Sequence, residues 1–219
     1  MWNIFLKFAS TMHIAIAGNI GSGKTTLTKM LARHYGWTPR LEPVMDNPYL
    51  DDYYKDIKRW AFNLEVFFLK ERFKDVLSIA AHPEITTVQD RSIFEGVYVF
   101  VANNYAQGQL SDRDYEAYME LFEQMMSIVK MPDLMIYLRA PLEHLVKNIQ
   151  KRGRQCEQTI PLEYLKGLNE RYEEFIKEKY KGKVMIVDVT GMDYQSNQED
   201  FLKITDRIDA ELFGLFSDK

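Results

Sequence analysis

Gly18-Asn19-Ile20-Gly21-Ser22-Gly23-Lys24-Thr25 fits the pattern G-x-x-x-x-G-K-[ST]. The run from Met12 to Ala17 ahead of it is short and apolar, and the chain behind it reads as a helix to about Tyr35, where Gly36 supplies a stop. Strand, glycine-rich loop and helix in that order make a phosphate cradle. The glycines let the backbone close around phosphate oxygens, and the loop N–H groups and helix start present partial positive charge. Lys24 is expected to reach the β- and γ-phosphates of ATP, with Thr25 ligating Mg²⁺ and Thr26 beside it. A glycine turn matching by chance is the plain alternative, and the flanking strand and helix argue against it. The motif speaks for nucleoside triphosphate binding and leaves the acceptor open.

Outward from the loop, short apolar runs read as buried parallel strands: Met12 to Ala17, Thr38 to Leu41, Ile85 to Gln89, Leu134 to Leu138 and Val184 to Val187. Helical stretches lie between them, at about Lys55 to Ala81, Ile93 to Tyr105, Asp112 to Lys130, Leu142 to Lys151, Leu162 to Tyr180 and Glu199 to Leu215. Alternating strands and helices predict an α/β fold with a five-stranded parallel sheet, helices on both faces and a P-loop at one end. Ligands of such sheets sit at the carboxyl ends of the strands. No repeat, linker or low-complexity tract divides the chain, so a single domain is expected over 12–219, with 1–11 as an N-terminal extension.

The 219 residues carry a formal charge of −4, which argues against general affinity for nucleic-acid polymers, since that needs concentrated Lys and Arg. The first eleven residues are apolar but too short to span a membrane and lack a signal-peptide cleavage pattern. The lone Cys156 forbids an intramolecular disulfide, which fits a reducing cytoplasm. His13, His34, His82 and His144 show no metal-ligand spacing.

Two strand ends carry charged residues that choose the acceptor. Leu41-Glu42-Pro43-Val44 places a carboxylate where a kinase acting on a hydroxyl needs a base. Gln89-Asp90-Arg91-Ser92 adds Asp90, suited to completing a Mg²⁺ shell, and Arg91, suited to neutralising the transferring phosphate or fixing the acceptor oxygen. A structural salt bridge is the bland reading of that pair. Arg152 and Arg154 flank Gly153 in a basic lid at about 152–160 that closes on ATP phosphates and expels water.

Taken together, GNIGSGKTT, LEPV, RWAFNLEVFFLKERF, DRS and RGRQCEQTIPLEYL resemble the deoxynucleoside kinase family, which includes deoxycytidine, deoxyguanosine and mitochondrial thymidine kinases. The likeness runs from Met12 to about Val189. It implies transfer of the ATP γ-phosphoryl group to the 5′-hydroxyl of a 2′-deoxynucleoside, for nucleotide salvage by a bacterial homodimer. The resemblance makes Glu42 the general base, Arg91 its partner near the 5′-oxygen, Asp90 the acid associated with Mg²⁺, Tyr54 and Glu157 the holders of the sugar 3′-hydroxyl, and Arg152 and Arg154 the lid arginines. Trp60, Phe62 and Phe94 are placed by it along the base pocket, although aromatic residues at helical spacing are also ordinary core. The dimer interface falls to the helices near 93–105 and 112–130.

The sequence departs from the family pattern in four places. Glu65 stands where a glutamine usually reads the base edge, and an ionised carboxylate only accepts hydrogen bonds. Gly96 replaces an aspartate of the deoxycytidine-type enzymes, leaving room and freeing Arg72 to face the base. These two changes favour a purine, with adenine and guanine both open. Cys156 replaces an acidic lid residue and Asn148 a frequent arginine, which leaves phosphate clamping to Arg152 and Arg154. The rival readings are a nucleoside monophosphate kinase of thymidylate kinase type, whose anionic acceptor Glu42 would repel, and a non-catalytic kinase-fold subunit, against which the presence of Lys24, Glu42 and Arg91 argues.

Overall fold

Five short strands line up in one sheet in the order β2-β3-β1-β4-β5, the inner three buried almost throughout and the edge strand β2 largely exposed. They are β1 (His13–Gly18), β2 (Thr38–Arg40), β3 (Thr87–Asp90), β4 (Leu134–Arg139) and β5 (Val184–Asp188), and every pairing is parallel. The computed structural model describes residues 11–44 and 47–214. The expected extension up to residue 10, the helix end at Leu215 and the Cys156 side chain lie outside the described residues.

Chain order reverses at β1. The chain leaves it toward β2 and β3 on one side and continues to β4 and β5 on the other, which opens a crevice at the carboxyl ends of β1 and β3. The register sets Ile16 opposite Asp90, and the Arg91 N–H donates to the Ile16 carbonyl at 3.0 Å. Arg91 is thereby fixed next to the start of the glycine-rich loop.

Helices α1 (Lys24–Tyr35) and α9 (Gln198–Phe213) belong to one apolar layer, where Leu27, Leu31, Ile204 and Ile208 meet the buried side chains of β1 and β4. Full burial of each such leucine or isoleucine is worth about 1.5–3 kcal/mol. The other layer is built by α2 (Leu50–Lys55), α3 (Ile57–Ala81), α4 (Ile93–Glu95), α5 (Ala102–Ala106), α6 (Asp112–Met126) and α8 (Leu162–Glu174). Between them in sequence, α7 (Leu142–Arg152) leads into a short 3₁₀ turn, Gln155–Thr159.

Several boundaries differ from expectation for local reasons. The helix expected over 55–81 is α3 and starts at Ile57, because the Asp56 side chain caps it by accepting from the Arg59 N–H at 3.1 Å, while α2 ahead of it was not expected. β3 starts at Thr87 rather than Ile85, since the Ile85 N–H turns back to the His82 carbonyl at 3.1 Å. Leu41 lies past the end of β2 and is 40% exposed. α6 stops at Met126, and the Ser127 hydroxyl donates to the Gln124 carbonyl at 2.8 Å. The expected helix 93–105 passes through a π-helical stretch, Gly96–Val101, between α4 and α5. Its Ile93, Phe94, Val97, Val99 and Val101 are all buried in the core, so those side chains are not available as an outward dimer face. Among the described residues no helix is long and apolar enough to cross a membrane.

Candidate active site

The glycine-rich loop turns through left-handed backbone at Gly21 (φ 85°) and Gly23 (φ 95°), a region open to glycine at little cost. Space matters as much as torsion there. A Cβ on Gly21 would come within 2.6 Å of the Leu145 carbonyl of α7, and one on Gly23 would overlap the Tyr194 hydroxyl. Two outside residues hold the loop: the Asn148 amide donates to the Gly21 carbonyl at 2.7 Å, and the Tyr194 hydroxyl to the Gly23 carbonyl at 3.1 Å. The departure at Asn148 thus has a structural use. Lys24 is buried and donates to the Asn19 carbonyl at 2.9 Å. Burial, reinforced by the Arg91 charge, lowers its pKa to about 7.

Thr25 and Asp90 meet where β1 and β3 end, with the Thr25 hydroxyl donating to Asp90 Oδ2 at 2.5 Å. Asp90 Oδ1 is buried and has no hydrogen-bond partner among the described residues. Two hard oxygen ligands beside a phosphate cradle fit Mg²⁺, which takes few protein ligands and fills its octahedron from phosphate and water. No group of three or more His, Cys, Asp or Glu side chains among the described residues forms a cage of its own.

Glu42 is pinned between two guanidinium groups: Arg72 Nη2 lies 2.5 Å from Oε1 and Arg91 Nε 3.1 Å from Oε2. Burial alone would push this carboxyl up, and the charges of Arg91 and Arg72 overrule it and hold the pKa at about 2. Glu42 is therefore an anion under all ordinary conditions. Arg91 has the single positive φ (71°) among described non-glycine residues, a sign of backbone held where function requires it. Its Nη1 reaches the Tyr172 hydroxyl at 2.5 Å and Glu95 Oε1 at 3.3 Å, and its guanidinium lies 4.5 Å over the Phe100 ring.

Glu95, which the sequence reading passed over, joins these parts. It accepts from the Gly18 N–H at 3.3 Å, from Arg91 and from Tyr172, and it closes a capping box with Ser92 at the start of α4. The S-x-x-E spacing of Ser92-Ile93-Phe94-Glu95 was the signal that could have found it.

A cavity runs from Ile20, Lys24 and Thr25 past Glu42 and Arg91 to Tyr54, Glu65 and Arg72, and Arg152, Arg154 and Glu157 also line it. Most of the residues expected at the site are thus brought together. Glu65 is buried and accepts from the Asn104 amide at 3.0 Å. Glu157 is gripped by Arg152 (Nε, 2.8 Å) and Arg154 (Nη1, 3.0 Å). Arg72 is turned toward Glu42 more than the sequence suggested, and its Nη1 takes the space beside Gly96, where a Cβ would come within 2.6 Å.

The aromatic expectations need correction. Trp60 does not line the cavity; its ring packs 5.9 Å from Tyr49 with Arg59 over it at 4.5 Å. Phe62 packs against the core, and Phe94 is buried against Phe122 and Tyr180. Tyr53, Phe68, Phe100 and Tyr164 line the cavity in their stead, and helical periodicity alone does not separate such residues from core. A second, open cleft flanks the glycine-rich loop, lined by Thr26, His144, Lys147, Asn148, Lys151 and Gly191 among others.

A phosphate cradle facing a clamped carboxylate across one cavity defines a P-loop phosphotransferase with an acceptor site of its own. Comparison with known proteins narrows the class. The family model described as deoxynucleoside kinase matches residues 14–213. The deoxyadenosine/deoxycytidine kinase of Bacillus subtilis (strain 168) is 36% identical over 197 residues, covering 89% of this chain and 90% of that protein. The deoxyguanosine kinase of the same organism is 35% identical over 195 residues, covering 87% and 93%. The structure of deoxyadenosine kinase from M. mycoides with bound dATP superposes with a TM-score of 0.80 at 30% identity, covering 90% of this chain and all of that one. The chain belongs to the deoxynucleoside kinase family, and it is an enzyme that phosphorylates deoxynucleosides.

Proposed function

We propose that this kinase transfers the γ-phosphoryl group of MgATP to the 5′-hydroxyl of a purine 2′-deoxynucleoside. The carrying observation is Glu42, an anion locked by Arg72 and Arg91 in the same cavity as Lys24 and Thr25. A carboxylate there accepts the hydrogen bond of an incoming hydroxyl and takes its proton as transfer completes. A base with a pKa of about 2 suffices because phosphoryl transfer passes through a loose transition state in which the nucleophile keeps its proton until late. Arg91 orients the acceptor oxygen, and Lys24 with Arg152 and Arg154 neutralises charge on the transferring group.

Thr25 and Asp90 would hold the Mg²⁺, which supplies charge neutralisation on the phosphate oxygens. The phosphates lie over Gly18 to Thr25, and the open cleft beside Lys147 and Gly191 offers room for the donor's base. The nucleoside occupies the inner cavity, with Tyr54 and Glu157 at the sugar 3′-hydroxyl and Glu65 with Arg72 toward the base. Arg152 and Arg154 release Glu157 in part as they turn to ATP, which makes the segment around 152–160 a lid. The exposed apolar residues Leu77 on α3, Leu121 on α6 and Ile128 just past it support a homodimer, which would work in the cytoplasm in nucleotide salvage.

Initial rates with MgATP against deoxyadenosine, deoxyguanosine, deoxycytidine and thymidine, with dAMP and dTMP alongside, test the acceptor. A purine deoxynucleoside is expected to lead in kcat/KM. Faster turnover of a monophosphate would remove Glu42 from the role given to it, because a dianionic acceptor has no use for a fixed carboxylate.

A further inference from the structure

Three side chains in and behind the cavity wall, Tyr164, Tyr53 and Asn104, make a directional hydrogen-bond relay that ends on Glu65. The Tyr53 hydroxyl sits 2.9 Å from Asn104 Oδ1 and 3.0 Å from the Tyr164 hydroxyl. A hydroxyl has one proton to give, and Tyr53 gives its proton to Oδ1. Asn104 must then present Nδ2 to Glu65, which it does at 3.0 Å from Oε1. All four residues are buried, so this polarity is not averaged away by water. An N–H on Oε1 makes that oxygen the acceptor of the carboxyl group, and a proton on Glu65 belongs on Oε2.

We propose that Glu65 reads the base as a neutral carboxylic acid whose donor and acceptor oxygens are assigned by Tyr53 and Asn104, selecting a base with an amino group beside a ring acceptor nitrogen. Adenine offers that edge through N6 and N1. Cytosine offers it through N4 and N3 in a smaller ring. Guanine in the same pose turns O6 to the oxygen that accepts and N1–H to the oxygen that donates, and its alternative edge of N1–H with the N2 amino group needs two acceptors and therefore the carboxylate. Adenine is thus taken while the proton is on, and guanine gains when it leaves. The proposal rests on the reading that places Glu65 at the base.

The groups facing Glu65 agree with a carboxyl that keeps its proton near neutrality. Arg72 from its own helix favours ionisation, but its Nη2 is engaged with Glu42, whose negative charge opposes ionisation. Arg91 favours ionisation from the end of β3. The phenols of Tyr53 (α2), Tyr118 (α6) and Tyr164 (α8) face it uncharged, their own pKa values raised by burial. Burial dominates, and it pushes the Glu65 carboxyl up to about 8.

The test is the ratio of kcat/KM for deoxyadenosine to that for deoxyguanosine, measured from about pH 6 to about pH 9.5, with Glu65→Gln and Glu65→Ala alongside. In the unmodified enzyme the ratio should fall about tenfold or more across that range, with its break near the Glu65 titration. Glu65→Gln has a fixed donor and acceptor, and its ratio should be flat with pH. Asn104→Asp places a second carboxyl against Oε1, and the break should move to higher pH. A wild-type ratio flat with pH, with Glu65→Ala still impaired on every nucleoside, overturns the proton-based reading and keeps Glu65 at the base. A Glu65→Ala variant equal to wild type on every nucleoside overturns the placement itself.

Discussion

Glu42 carries two separable consequences. As a kinetic group it acts on the acceptor and not on the donor, so Glu42→Gln should lower kcat by about 10²- to 10⁴-fold. Its ATP dissociation constant should stay within about threefold in the same variant, because uniform donor binding is left intact. As a buried anion between two cations it also holds the fold, and its removal should cost about 3 kcal/mol at neutral pH, measured by denaturant titration. The folded pKa lies below the ordinary 4.5, so the Glu42 contribution is fully present above about pH 4.5 and is lost as the pH falls through 2. The stability gap between wild type and Glu42→Gln should therefore be flat from about pH 5 to about pH 8 and close on acidification. Gly96 is the second residue with a sharp expectation. Its φ is ordinary for a helix, so alanine brings no backbone strain, but the new Cβ would displace Arg72 Nη1. Gly96→Ala should raise KM for the nucleoside by about tenfold and leave KM for ATP nearly unchanged. The charged residues here were legible in the sequence because strand ends aim side chains at one edge. Their pairing was not, since Arg72 is 30 residues from Glu42 in sequence and nothing local announces that they touch.

At the scale of elements, α7 does two jobs. Asn148 in its middle holds the Gly21 carbonyl, and Arg152 at its end grips Glu157. Asn148→Ala would release the loop without touching the acceptor side, so KM for ATP should rise about three- to tenfold, with kcat at saturating ATP little changed. An unchanged KM for ATP would mean that Tyr194 alone suffices to fix the loop. Strands and helices were readable from apolar runs and helical spacing, and the order of five strands with their intervening helices matches the structure. Two misjudged boundaries sit where side chains compete with the backbone, at Asp56 and Ser127, and that of β3 where the backbone turns back on itself at Ile85. The π-helical stretch Gly96–Val101 had no signature in the sequence, because one extra residue per turn leaves an all-apolar run looking the same.

For the whole molecule, the expected assembly is a homodimer through the exposed apolar residues of α3, of α6 and of the segment just past it. Sedimentation should give a species of twice the 25.8 kDa chain mass, and Leu121→Glu with Ile128→Glu should return it to the chain mass. The sheet order also bears on how the molecule is made. Among the described strands β1 leaves the ribosome before the others, yet its neighbours are β3 and β4, which follow some 70 and 115 residues later. At about 5–20 residues per second, the nascent β1 waits about 4–14 seconds for β3 and longer for β4. Throughout that interval the five buried residues of an apolar segment are open to water. The strand that carries the phosphate loop is thus the one most in need of a chaperone during synthesis, and slow translation between β1 and β3 would lower the yield of active protein without changing one residue of it.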